Sequence, residues 1–306
     1  MKLEFGSFLA TDNVKLPGLL YQPDKPTDKV AVWLHGLASS IFYTPTWMNA
    51  IGTALTDQGI AFWAFNNRGA YESKQLRVVN PNDPTDNQRI QAGANFELIA
   101  DCVHDIDGAV KYLQSKGFKE FYLLGHSSGA NKICAYDNLA KDNPFSKYVM
   151  AGPGDDVGIP FAESGSKKFW KTIDYAAAAV SDEKPLKILP KTTVLPGFSA
   201  QSAWDLLNPD GQYNTFPFYE ATHERIGSKE LFKEYKAITR PTLVILGEED
   251  EYAFTAGGSQ AALNLLMANT SNQMLKVNDF MLVPFADHSF HEAEETFAQK
   301  VADWLA

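Results

Sequence analysis

Short runs of apolar, β-branched and aromatic residues recur along the chain at Val30–Leu34, Ile60–Phe65, Phe121–Leu124, Tyr148–Ala151, Leu243–Leu246 and Phe280–Phe285. They lack polar alternation, which is the pattern of strands covered on both faces. Between them lie stretches of helical periodicity around Trp47–Gln58, Ala92–Lys116, Gly129–Leu139 and His291–Leu305. In the second, Ile99, Val103, Ile106, Val110 and Leu113 recur at spacings of three and four and place an apolar stripe on one side. Strands alternating with helices predict an α/β fold with a mostly parallel sheet flanked by helices. Upstream, Leu3–Ala10 and Leu16–Tyr21 flank the turn-like Thr11-Asp12-Asn13 and predict an antiparallel hairpin leading into the sheet.

The alternation lapses between Asp155 and Thr239, where Gly, Pro, Lys and aromatic residues accumulate around helix-like pieces near Phe169–Val180, Ala200–Leu207 and Lys229–Tyr235. Such a stretch is too long for a loop inside a compact domain, so it reads as a helical cap resting on the sheet. The expected division is a core of residues 1–154 and 240–306, with a cap over 155–239. Its aromatics Trp170, Tyr175, Trp204, Tyr213, Phe216, Phe218 and Tyr219 fit either a substrate wall or the cap's own core.

Composition narrows the class. Of 306 residues, 45% are hydrophobic and 21% charged, enough apolar surface for a sizeable core and too much for a disordered chain. A net charge of −10 with no cluster of Lys or Arg argues against nucleic acid or an anionic membrane surface as partner. No run reaches the roughly 20 apolar residues of a membrane span, and Glu4 and Gly6 interrupt the opening MKLEFGSFLATDN, so a cytoplasmic protein is expected. Cys102 and Cys134 read as buried free thiols. No G-x-G-x-x-G opens a helix after the first strand, and GxxxxGK[ST] and HExxH are absent. The pair His288 and His291 has metal-like spacing but no evident third ligand, so neither cofactor nor metal is expected. Oligomeric state is not encoded in any visible pattern.

The chemistry is concentrated at three strand ends. Gly125-His126-Ser127-Ser128-Gly129 follows the strand Phe121–Leu124 and precedes a helix, the strand–turn–helix setting in which a G-x-S-x-G turn lifts its serine clear of the backbone. A serine hydroxyl needs a base, and the base needs a carboxylate to hold its tautomer. Of the six histidines, His288 lies just past the last strand, at the sheet edge where the serine turn also opens; His291 would begin the final helix, and His104, His126 and His223 read as structural or surface residues. After the strand Leu243–Leu246 come Glu248, Glu249, Asp250 and Glu251. Asp250 has the shorter side chain usual for the orienting role, and the glutamates read as solvated turn charges; an acidic surface loop without a catalytic part is the alternative.

The order Ser127, Asp250, His288 resembles the nucleophile–acid–base order of the α/β-hydrolases. That resemblance runs from Leu3 to Ala306. It implies an eight-stranded sheet with only the second strand antiparallel and a cap inserted after the sixth. Carried onto His35-Gly36-Leu37, it implies an oxyanion hole made by the Leu37 and Ser128 N–H groups. Asn66-Asn67-Arg68-Gly69 is similar to the structural D-x-R-G turn of many members, with Asn in place of the Asp. LPGLLYQP, SAWDLLNPDG, GEEDEYAF and ADHSF are similar to stretches of fungal and plant hydrolases, some of which cleave siderophore esters. The function implied is a carboxylesterase that forms an acyl-enzyme on Ser127 from a small-molecule ester. The same triad serves thioester, amide, lactone or C–C hydrolysis and acyl transfer, and a non-catalytic hydrolase-like binding protein is the reading from another class.

Overall fold

The computed structural model describes residues 1–83 and 85–306. In chain order the strands are β1 (Lys2–Leu9), β2 (Lys15–Gln22), β3 (Lys29–Leu34), β4 (Ala61–Phe65), β5 (Lys74–Val78), β6 (Gln88–Ala92), β7 (Glu120–His126), β8 (Phe145–Ala151), β9 (Thr242–Gly247) and β10 (Asp279–Val283). The helices are α1 (Pro45–Asp57), α2 (Cys102–Ser115), α3 (Ser128–Leu139), α4 (Gly158–Ser164), α5 (Ser166–Ser181), α6 (Ala200–Leu207), α7 (Phe218–Thr222), α8 (Lys233–Lys236), α9 (Ser259–Ala268) and α10 (Glu294–Leu305).

Eight strands form one sheet in the order β1-β2-β4-β3-β7-β8-β9-β10. Only β2 runs antiparallel to its neighbours, pairing β1 across the hairpin and β4 through Gly18↔Phe65 to Tyr21↔Phe62. The pairs from β4 to β10 are parallel, so each needs a crossover, and the helices supply it. Alternate residues of one strand feed opposite layers. Val30, Val32 and Leu34 join a core with Ile106, Val110 and Ile133 of α2 and α3, while Ala31 and Trp33 join one with Ile51 of α1 and Val301 of α10. Burial on both faces is why these strands show no polar alternation.

Departures from the sequence expectations have physical causes. The last strand is not covered on both faces: β10 is the sheet edge, and only Val283 within it is buried. Phe285, at the expected end of that strand, instead lies in a loop at φ 58° with 82% of its surface exposed. The helix expected from Ala92 begins at Cys102, because Ala92 closes β6 and two short 3-10 turns at Ala94–Phe96 and Ile99–Asp101 intervene. The hairpin β5–β6 pairs Lys74↔Ala92 to Val78↔Gln88 outside the main sheet; its half-exposed KQLRV and QRIQA carry no apolar run to betray them. α9 was also not anticipated. The final helix starts at Glu294, so His291 stands in the turn before it.

Between β8 and β9 the chain builds α4 to α8. Val157, Phe161, Phe169, Ile173 and Leu207 form one small core, and Ala176, Ala179, Leu189, Ala200 and Ala203 another. Farther along, Tyr213, Phe216, Phe218, Phe232 and Tyr235 pack into the core of α2 and α3. The piece expected as a helix from Lys229 is helical only over α8.

Candidate active site

Ser127 stands between the end of β7 and the start of α3 with φ 56° and ψ −128°. This is a backbone region that L-residues rarely enter, at a cost of about 1–3 kcal/mol. The turn is held by Ser127 N–H on Ala151 O at 2.9 Å and by Ala130 N–H on Ser127 O at 2.8 Å. It also demands its flanking glycines: a Cβ on Gly125 would lie 2.3 Å from Gly129 O, and one on Gly129 would lie 2.3 Å from Leu34 O.

Asp250 and His288 come from loops after neighbouring parallel strands, β9 and β10. His288 Nδ1 lies 2.9 and 3.0 Å from the two Asp250 carboxylate oxygens, and both residues are buried. Asp250 also accepts from Tyr252 N–H at 2.9 Å, which fixes its rotamer. Two glutamates expected to be free turn charges have partners: Glu251 accepts from His288 N–H at 3.0 Å and Glu248 from Phe285 N–H at 3.1 Å, bracing one loop against the other. Tyr252 meets the His288 ring edge to face at 4.6 Å. Ser127 and His288 line one cavity of about 410 Å³ together with Gly36, Leu37 and Asp156. Among the described residues no hydrogen bond joins Ser127 Oγ to the imidazole, whose Nδ1 is taken by Asp250. Such bonds often tighten only when substrate is bound.

The turn after β3 is oriented by His35. Its Nε2 accepts from Asn67 N–H at 3.2 Å, so Nδ1 carries the proton and donates to Gly36 O at 2.9 Å. Burial, followed by the nearby Lys132, holds this imidazole well below its usual range, hence neutral. In a trans peptide the C=O and N–H point opposite ways, so a Gly36 carbonyl held by His35 turns Leu37 N–H away from it. Among the described residues neither Leu37 N–H nor Ser128 N–H donates to a protein acceptor. The Asn66–Gly69 turn supports the same region: Asn66 accepts from Ile41 N–H at 2.9 Å, and Arg68 pairs with Asp105 at 2.8 Å.

His126 also lines the cavity, while the other three histidines lie elsewhere. His104 contacts Thr11, His223 stacks on Tyr219, and His291 sits 2.6 Å from Asp287 at the surface. None of the seven aromatics offered as a substrate wall lines the cavity; Tyr213, Phe216 and Phe218 are buried core, and the wall contributed by this segment is the aliphatic Ile159, Pro160, Leu195 and Leu206 together with Asp156.

Three residues near the pair were not anticipated. Gly152 has φ 52°, and a Cβ there would lie 3.1 Å from His288 Cε1 and 3.4 Å from Asp250 Oδ2; its position one residue past an apolar strand run was the available signal. Tyr252 carried no signal beyond its nearness to Asp250. Asp156 lines the cavity, and burial, then Asp155, pushes its carboxyl up to about 7; nothing in the sequence distinguished it from the other scattered acids.

The fold is shared with solved α/β-hydrolases. The esterase domain of a Rhodothermus marinus protein superposes with a TM-score of 0.56 over 99% of this chain and 98% of that one, at 14% identity. Carboxylesterase CesB from Bacillus subtilis gives 0.54 over 100% and 92% at 17% identity. Monoglyceride lipase from Saccharomyces cerevisiae, crystallised with a substrate analogue, gives 0.59 over 97% and 93% at 13% identity. Comparison with curated proteins gives no match in sequence. The family model described as "Protein of unknown function (DUF1749)" matches residues 98–305, about two-thirds of the chain and the part that carries Ser127, Asp250 and His288. This chain therefore belongs to the DUF1749 family, built on a mixed α/β fold with a large sheet flanked by helices.

Proposed function

We propose that the protein is a serine carboxylesterase in which Ser127, His288 and Asp250 form the catalytic triad. The supporting observation is that a serine on a strained strand-to-helix turn shares one cavity with a buried imidazole held by a buried carboxylate. Asp250 accepts from His288 Nδ1–H, which leaves Nε2 unprotonated to take the Ser127 proton as Oγ attacks the acyl carbonyl. The oxyanion that forms takes hydrogen bonds from Leu37 and Ser128 N–H, donors already free of protein acceptors. His288 returns the proton to the leaving alkoxide, and water, deprotonated by the same imidazole, then hydrolyses the acyl-enzyme. The segment carrying α4 to α6 serves as a cap, with Ile159, Pro160, Leu195 and Leu206 against the substrate. The esterase and lipase names among the solved neighbours favour an ester over the other acyl compounds. The sequence likeness to siderophore-cleaving hydrolases adds siderophore esters to the substrates worth assaying.

Labelling by a fluorophosphonate probe, read by mass spectrometry at Ser127, tests the triad, with Ser127→Ala as control. Short and medium p-nitrophenyl esters test the substrate class. An unlabelled wild-type protein that is fully folded would overturn the assignment.

A further inference from the structure

Two carboxylates, Asp156 and Glu251, line the cavity over Ser127, and among the described residues no lysine or arginine does. They are not equivalent. Glu251 reaches into solvent and accepts from His288 N–H. Asp156 Oδ2 is shielded from solvent, and no protein donor reaches it.

A shielded carboxylate oxygen without a donor costs free energy, and the neighbouring charges do not offset it. Asp155, next along the chain, accepts from Gly158 N–H and Tyr219 N–H, each at 2.7 Å, has no proton to offer when ionised and adds like charge. Lys132 of α3, the buried cation behind the site, lies 2.7 Å from Glu97, so its charge is shared. His288 is committed to Asp250. What remains open to Asp156, a half-buried residue, is the cavity that it lines.

We propose that Asp156 is a specificity-determining residue that receives an ammonium group of the substrate, while Ile159, Pro160, Leu195 and Leu206 take its apolar part. This rests on the esterase reading. A cationic substrate supplies the partner the carboxylate lacks, whereas a substrate bearing a carboxylate meets the two lining carboxylates, Asp156 and Glu251. Around Asp156 stand Asp155 in its own segment, Lys132 and Glu97 behind it, and His288 and Glu251 on the far loops. A bound cation draws out its ionised form, so the preference strengthens as pH rises through neutrality.

Two phosphonate inactivators matched in shape test this, one carrying a 2-(trimethylammonio)ethyl group and the other the neutral 3,3-dimethylbutyl group. Neither titrates. The second-order rate of Ser127 modification is expected to be at least about tenfold higher for the cationic probe at pH 8, the ratio expected of one close charge pair. That ratio should shrink below pH 6, fall to near one in Asp156→Asn and persist in Asp156→Glu, which keeps the charge. Equal rates in the wild type, or a preference that survives Asp156→Asn, overturn the inference and leave the triad standing. Failure of both probes to label folded protein overturns the esterase reading and this inference with it.

Discussion

His126 Nε2 lies 2.9 Å from the main-chain oxygen of His288, so the residue just before the candidate nucleophile is tied directly to the backbone of the candidate base, 162 positions away. A carbonyl can only accept, so the His126 proton is on Nε2. Burial, with the His288 charge second, pushes this imidazole down to about 3, and it stays neutral at any working pH. Trp33 stacks on it and Trp47 packs edge to face at 4.8 Å, holding the ring in register.

His126→Phe should therefore act through position and not through charge. It leaves the His288 carbonyl without its donor, a loss of about 1–3 kcal/mol in denaturant unfolding. Esterase kcat should fall about tenfold or more with KM little changed, since a small misplacement of the base is felt in the transition state. The limbs of the pH–rate profile should stay where they are. A profile displaced by this substitution would show that the imidazole contributes charge after all.

Ser127→Gly should abolish turnover while raising stability. Ser127 holds φ 56° and ψ −128°, and glycine enters that region without the Cβ penalty. The expected gain is about 1 kcal/mol over wild type, less than the full strain because glycine also loses more chain entropy on folding. Ser127→Ala keeps the Cβ and should be equally inactive with no such gain. Comparing urea midpoints of the two variants separates strain from hydroxyl.

Gly152→Ala introduces a methyl 3.1 Å from His288 Cε1 in a backbone at φ 52°. The imidazole must give way, and the Asp250 contact at 2.9 Å lengthens. A fall in kcat of about 10–100-fold is expected, as for a displacement near 1 Å at the reacting groups. Parallel far-ultraviolet spectra and a Tm measurement would show whether the fold persists. A variant with full kcat would mean that the loop has room this packing does not leave.

Asp156→Asn should alter the pH dependence of stability. The folded carboxyl titrates at about 7, against an ordinary value of 3.8, because burial disfavours its charge. A group whose folded pKa is raised contributes fully below the unfolded value and loses that contribution as pH rises through the folded one. Relative to wild type, the Asn variant should gain little at pH 4 and about 2 kcal/mol by pH 8, roughly half of the full conversion because the side chain borders the cavity. Urea unfolding at the two pH values reads the difference. A gain that is the same at both would mean that Asp156 does not titrate between them.

What the order of residues determined by itself was the α/β alternation, the entering hairpin and the three strand-end turns. These are local: a run such as Val30–Leu34 is apolar at every position because both faces are covered, and Gly125 is required because a Cβ there would meet the backbone of Gly129 and Ala130 in the same turn. Strands that bury little left no such mark, which is why β5 and β6 escaped, whereas β10, apolar in sequence, was taken for a covered strand although it lies at the edge; α9 escaped even though its Ala262, Leu263 and Leu266 enter the core. Tertiary structure alone decided which side chains meet. It brought His288 to Asp250 across 38 positions, turned Glu251 from a solvated charge into a brace, consigned Tyr213, Phe216 and Phe218 to the core, and placed Asp156 in the cavity lining with its Oδ2 shielded and unpaired. Periodicity reports how much of a residue is buried; it carries no information about the neighbour it is buried against, and both the pairing of acid with base and the walls of the cavity are questions of neighbours.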